Sequence, residues 1–452
     1  MLIQDGKSFS YKRFFFIMIG LIVTVLIDTS IVKVYDLLSK SFISDNAKFL
    51  LFSINTSICI VLEFIVIKYL YNSFQGFRWK ESLKVNLLYK ISSISLLIVG
   101  TLIALLMFQQ FYHHYYKILI PILIVIISYV IAAAFIIILS ILFLSWYKSH
   151  HNRIIFLYFI SMLLIAFNLV MTATITVVKL SDRPDEIRKF IGGTVDLSVG
   201  RFEFLNNIYK ASSILSFISI WITTALLMNY YREKQINVIV YWILLSIPLV
   251  YFLINCIHQI IFTNILISYL TIDPITVSII LTAFLSLSKP IGGLTFAVVF
   301  WNISKTVGYE KNIKLSMIIS GWGILLIFGA NQGLVQTLAP YPPFGLVTIT
   351  VLIIGGFLML LGIYNSAILV SVNDNLRKSI HKHFTEPRLL GLIGEAEMKK
   401  EIEGIVKEIT QREGSLEREI NIPIEFDEKA LKKYINFVIR ETKKGENTKN
   451  EL

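Results

Sequence analysis

Five consecutive residues, Lys289-Pro290-Ile291-Gly292-Gly293, lie inside a long apolar run and join a cation to the residue types that most disturb a helix. Proline removes a backbone hydrogen bond and crowds the preceding turn, and paired glycines loosen the turn after it. Backbone groups freed at membrane depth are tolerated only against protein or a water-filled cavity, and transporters use such breaks to hold ions or substrates near the midplane. Two acids stand in other apolar runs, Asp28 in the first and Glu63 in the second. Ionisable side chains at such depth usually face the bundle interior. Lys289, Asp28 and Glu63 therefore make a candidate intramembrane charge site, with Pro290, Gly292 and Gly293 as the helix break. A depth count pairs Lys289 with Asp28, each about fourteen residues or ~21 Å from the inner end of its run. Glu63, about eight residues or ~12 Å up, is the second choice. The plainer alternatives are a simple proline kink with a snorkelling lysine, a hydrated Asp28, and a Glu63 that is protonated or paired with Lys68.

Other chemistry is sparse. The histidines fall as His113-His114, His150-His151, His258, and His381 with His383. Neighbouring helical residues point about 100° apart, so such pairs rarely share a metal, and no metal site is expected. Cys59 and Cys256 both lie in apolar runs and form no CxxC pair. No nucleophile–base pair or glycine-rich nucleotide loop stands out, so no cofactor is expected and enzymatic activity is disfavoured.

The elements that must position these residues are membrane helices. Hydrophobic residues make up 55% of the 452 and charged residues 16%, against about 25% charged in soluble domains. A helix needs about 20 apolar residues to cross ~30 Å of hydrocarbon. Runs that satisfy this lie near Phe14–Lys33, Phe49–Tyr71, Leu87–Gln110, Ile118–Trp146 and Ile154–Val178. A second set lies near Ala211–Tyr230, Val238–Phe262, Ile275–Asn302, Leu315–Asn331 and Phe344–Val370. The fold class is thus all-α: a polytopic bundle of about ten spans over residues 1–371, with a short helical tail over 372–452.

The net charge of +12 is not a nucleic-acid footprint, because the excess gathers in short loops on one side. Alternate loops carry Lys7/Lys12/Arg13, Arg78/Lys80/Lys84, Lys148/Arg153, Arg232/Lys234, Lys305/Lys311/Lys314 and Arg377/Lys378/Lys382, whereas Thr263–Pro274 and Gln332–Pro343 contain no basic residue. This places both termini in the cytoplasm of a multi-pass cell-membrane protein; Lys33 and Lys40 in the first outer loop are a modest violation. The N-terminus starts like a signal peptide but lacks a small-x-small cleavage site, so an uncleaved first span is expected. The longest outer loop, about 179–210, opens with a helix-start signal at Asp182-Arg183-Pro184, succeeded by Gly192-Gly193 and an alternating Thr194–Val199 stretch. Gln109–Tyr116 reads as an interfacial aromatic belt.

In the tail, Met398, Ile402, Ile405 and Ile409 recur at helical spacing, and a second stripe runs Leu431, Tyr434, Ile435 and Val438 from a start at Asp427. Such stripes bury on each other, on inner loops, on the membrane or on a cytoplasmic protein partner. The tail is too short for a phosphoacceptor helix plus an ATP-binding domain. The stretch Gly362-Ile363-Tyr364-Asn365-Ser366-Ala367-Ile368, with Asn373–Ile380 and Leu390–Glu401, resembles the last span and juxtamembrane segment of a group of multi-pass membrane proteins of ammonia-oxidising archaea. The resemblance implies a cytoplasmic tail and assigns no residue a role. Two functions fit: a receptor, sensor or scaffold whose tail engages a partner, and a secondary transporter with a midplane site at the broken eighth helix.

Overall fold

A computed structural model of the protein describes residues 11–40, 44–74, 83–182, 185–188, 199–231, 245–255, 287–306, 311–331, 341–372, 389–400 and 402–404, with residues 239, 242–243 and 284 besides. In chain order the helices are α1 (Tyr11–Lys40), α2 (Asp45–Phe74), α3 (Leu83–His113), α4 (Leu119–Ser149), α5 (Arg153–Ser181) and α6 (Val199–Tyr231). Then come α7 (Leu245–Asn255), α8 (Ser288–Thr306), α9 (Lys311–Ala330), α10 (Leu346–Val372) and α11 (residues 389–400). Eight described helices, α1–α6, α9 and α10, are long and apolar enough to cross a membrane. They coincide with the first six and last two expected spans. The expected seventh span is described only as the short α7, and the expected eighth only from residue 284 onward; the remainder of both lies outside the described residues.

The fold is an all-α polytopic bundle, and its helices differ in what surrounds them. Between 33% and 50% of the most apolar stretch of α1–α6 is buried, against 83% for α9 and 100% for α10. Phe16 and Leu97 are among the bulky apolar side chains that the outer helices expose. Contiguous exposure of this kind marks a surface facing lipid. Helix α10, apolar on every side, is enclosed by protein.

Small residues let α9 fit into this interior. A side chain at Gly321 would run into Trp301 and the Ala297 carbonyl of α8. One at Gly323 would meet the backbone of Gly355 and Met359 of α10. Two residues turn a helix by about 200°, so the glycines open opposite faces of α9, one for each neighbour. The zipper continues where Gly362 lies against Ser316 and Ser320. Such close approach is how membrane helices gain packing without a hydrophobic driving force between them.

Of the expected eighth span, Phe284 is helical and α8 starts at Ser288, which puts Pro290 in the first turn of α8. Residues 275–283 and 285–286, which precede the expected break at Pro290, Gly292 and Gly293, lie outside the described residues. Side chains at Gly292 and Gly293 would run into Phe217 and Phe328. The structure corrects one sequence expectation: the outer loop does not begin a helix at Asp182. Glu186–Arg188 forms strand β2, antiparallel to β1 (Tyr115–Lys117), with Tyr116 opposite Ile187. The Thr194–Val199 stretch falls outside the described residues except for its last position. In the aromatic belt, Phe111 and Tyr112 are exposed, and His114 turns the chain with φ 56° into β1.

The described residues separate into two compact units, one of Met1–Ser140 with Leu157–Tyr364 and one of Ile141–Phe156 with Asn365–Leu452. The second takes in the α4–α5 turn and the last turns of α10 along with the tail.

Replacing Gly323 by valine is expected to lower the detergent melting temperature sharply, because overpacking costs about 1–3 kcal/mol and here meets backbone. Gly329→Ala, with nothing within 4 Å of the added carbon, is the control and should leave melting unchanged. Equal melting of the two variants would contradict the packing.

Candidate functional site

Asp28 lies on α1 and is completely buried. Its carboxylate accepts three hydrogen bonds from the start of α10: from the Gly345 N–H at 2.9 Å, the Thr348 N–H at 3.0 Å and the Thr348 hydroxyl at 2.8 Å. The first N–H groups of a helix lack intrahelical partners and carry the positive end of its dipole. Asp28 therefore caps α10 from another helix. Gly345, at φ 90°, supplies the turn that presents these donors.

Glu63 reaches the same helix two residues beyond Thr348. Its Oε1 accepts from the Thr350 hydroxyl at 2.8 Å, and that hydroxyl also faces the Val347 carbonyl at 2.8 Å. Cys59, one turn away on α2, points its thiol at the same oxygen at 4.0 Å. Glu63 is 1% exposed, and its partners are these residues rather than Lys68.

Lys289 occupies a different cluster. Its ammonium donates to the Tyr209 hydroxyl at 3.2 Å and to the Asn331 carbonyl at 3.1 Å, and lies 5.3 Å from the centroid of the Tyr209 ring. Asn331 comes directly after the last residue of α9, and its N–H still closes a helical bond to Ile327. Lys289 thus sits at the carbonyl end of α9, where the helix dipole favours a cation. The expected Lys289–Asp28 pair is therefore not formed among the described residues, and neither is the Lys289–Glu63 pair. Lys289 and Asp28 each take a helix end in place of the other, because a helix end inside the bundle also carries partial charge.

The Lys289 cluster continues through neutral side chains. The Asn331 amide donates to Asn168 Oδ1 at 2.7 Å, the Asn168 amide to Ser212 Oγ at 2.9 Å, and the Ser212 hydroxyl to the Tyr209 carbonyl at 2.9 Å. A serine–threonine seam of Ser161, Ser219 and Thr223 lies farther along α5 and α6. Sequence reading passed over Tyr209, Asn331, Asn168 and Ser212. The available signal was Asn168, an amide in the middle of an apolar span. Comparison of the chain with known protein families, characterised proteins and solved structures finds no match.

In the second unit, α11 buries Leu389, Leu390, Leu392, Ile393 and Ala396. The Trp146 indole donates to Glu397 at 2.5 Å, His150 lies 3.9 Å from Glu395, and a side chain at Gly394 would run into Val370. Of the inferred stripe, Ile402 is buried and Met398 partly so, while Ile405, Ile409 and the second tail stripe lie outside the described residues.

Since Asp28 and Lys289 serve different helix ends, the melting losses of Asp28→Asn and Lys289→Met are expected to add in the double variant within about 0.5 kcal/mol. Each loss reflects groups left unpaired in the interior, at about 1–3 kcal/mol per group. Recovery in the double variant would restore the direct pair and contradict this assignment.

Proposed function

We propose that the chain is a receptor-like protein of the cell membrane, with both termini cytoplasmic, whose bundle registers a signal and whose tail carries it to a cytoplasmic partner. The supporting observation is the seating of α11. It is fixed on the α4–α5 turn by an indole–carboxylate bond and on the end of α10 by the Gly394 contact. Helices α4, α5 and α10 each contribute residues to both compact units. The juxtamembrane resemblance to archaeal multi-pass proteins is consistent with a cytoplasmic tail.

A second reading, a secondary transporter, is favoured by Lys289, which joins the first turn of α8 to the end of α9. Current recordings from proteoliposomes during jumps in proton, sodium and small-carboxylate concentration separate the two. The receptor reading expects no sustained charge transfer, and a saturable, sustained current would establish the transporter.

The seating of α11 has its own check. Ile393 is 1% exposed, and Ile393→Asp buries a charge that the site does not pair. Proteolysis of the tail is expected to become on the order of tenfold faster, with bundle melting unchanged. Cleavage at the parental rate would show that α11 is not held by this face.

A further inference from the structure

Asp28 and Glu63 both approach the start of α10, and the helix receives them differently. Asp28 takes two backbone N–H groups and a hydroxyl at the amide end, where the dipole favours an anion. Glu63 takes no backbone N–H. Its partners among the described residues are the Thr350 hydroxyl at 2.8 Å and the Cys59 thiol at 4.0 Å. Both are neutral, and a thiol is a weak donor. No lysine, arginine or histidine among the described residues lies within ion-pair distance of Glu63. The other titratable groups around this end of α10 are Cys59 on α2 and Asp28 on α1, neither of them a cation. Helix α3 lies against Ile60 and Phe64 at Gly100, well away from its own Lys84, Tyr89, Lys90, Tyr112 and His113.

The number of protons at Thr350 fixes the state of Glu63. A hydroxyl has one proton, yet two oxygens face that of Thr350 at 2.8 Å each, Glu63 Oε1 and the Val347 carbonyl. The carbonyl can only accept. Were Glu63 a carboxylate, the single proton would have to serve both oxygens, or one contact would press two proton-free oxygens together. A second proton in the chain therefore belongs on Glu63, which donates to Thr350 Oγ while Thr350 donates to Val347. Burial acts in the same direction. Glu63 is 1% exposed within an apolar span, where a carboxylate without a cation is strongly disfavoured and neutralises.

We propose that Glu63 is a proton-binding site of the bundle, a carboxylic acid at neutral pH whose proton ties α2 to α10 through Thr350. Asp28 is its counterpart, an anion held by the amide end of the same helix. Two carboxyls in one interior are thus kept in opposite states by their surroundings. Release of the Glu63 proton breaks only its O–H bond and leaves one proton for Glu63 and Val347 together. The tie is therefore complete at low pH and loosens as the pH rises. The assignment goes beyond the receptor and transporter readings and rests on neither: an acid at Glu63 in a chain that carries no current leaves the receptor reading in place.

Infrared spectroscopy of the full chain in detergent at pH ~7 tests it. Exposed carboxyls are ionised there, about three units above the ordinary glutamate value, so a carboxylic-acid C=O band reports a buried acid. The band is expected in the parent chain. Heavy-carbon labelling of glutamate should shift it, and labelling of aspartate should leave it in place. It should persist in Asp28→Asn and vanish in Glu63→Gln, whose amide keeps a donor for Thr350. Because the native side chain is already neutral, Glu63→Gln should leave the melting temperature unchanged, whereas Asp28→Asn lowers it. Thr350→Val should move the band to higher frequency, since the acid loses its acceptor. Absence of the band from the parent, a shift on aspartate labelling, or persistence in Glu63→Gln would each overturn the proposal. The labelling comparison needs no variant, so it decides even where a substitution prevents folding.

Discussion

Much of this structure depends on how charges inside the bundle are neutralised by helix ends. Asp28 takes the amide end of α10, and Lys289 takes the carbonyl end of α9. A carboxylate or ammonium left alone at such depth is strongly disfavoured, and so are the unpaired backbone groups of a helix that stops inside a membrane protein. Each problem resolves the other. The α9 and α10 helices can therefore terminate within protein, and α1 and α8 are tied to the points where they do.

Packing makes that arrangement possible. Only a helix with small residues on opposite faces can lie against two neighbours at backbone contact, and Gly321 and Gly323 give α9 those faces. The result is an interior pair, α9 and α10, ringed by helices that present leucine, isoleucine and phenylalanine outward. The polar residues that cross between helices do so in short directed chains. One of these runs from Asn331 through Asn168 and Ser212 to Tyr209 and ends at the cation.

The helices were legible in the sequence because hydrocarbon thickness imposes a run length that few other folds need. The charged residues were legible for a similar reason, since Asp28, Glu63 and Lys289 stand out against their apolar surroundings. Their partners were not. Gly345 contributes a backbone N–H and Asn331 a carbonyl, and no residue type advertises a main-chain group. Pro290 suits both a kink and a first turn, and α8 starts two residues ahead of it at Ser288. The β1–β2 ribbon escaped notice because three residues per strand are too few to show a period. In the described part of the tail, Leu389, Leu390, Leu392 and Ile393, ahead of the residues whose spacing showed the stripe, are buried as well.

The most direct measurement is thiol cross-linking in native membranes, with Cys59 and Cys256 replaced and a protease site placed in the 189–198 loop. Cysteines at Asp28 and Thr348 should be joined by a short bifunctional reagent, so that the cleaved halves stay together on a denaturing gel, while cysteines at Asp28 and Lys289 should separate. Joining of the 28–289 pair with separation of the 28–348 pair would contradict the capping of α10 by Asp28.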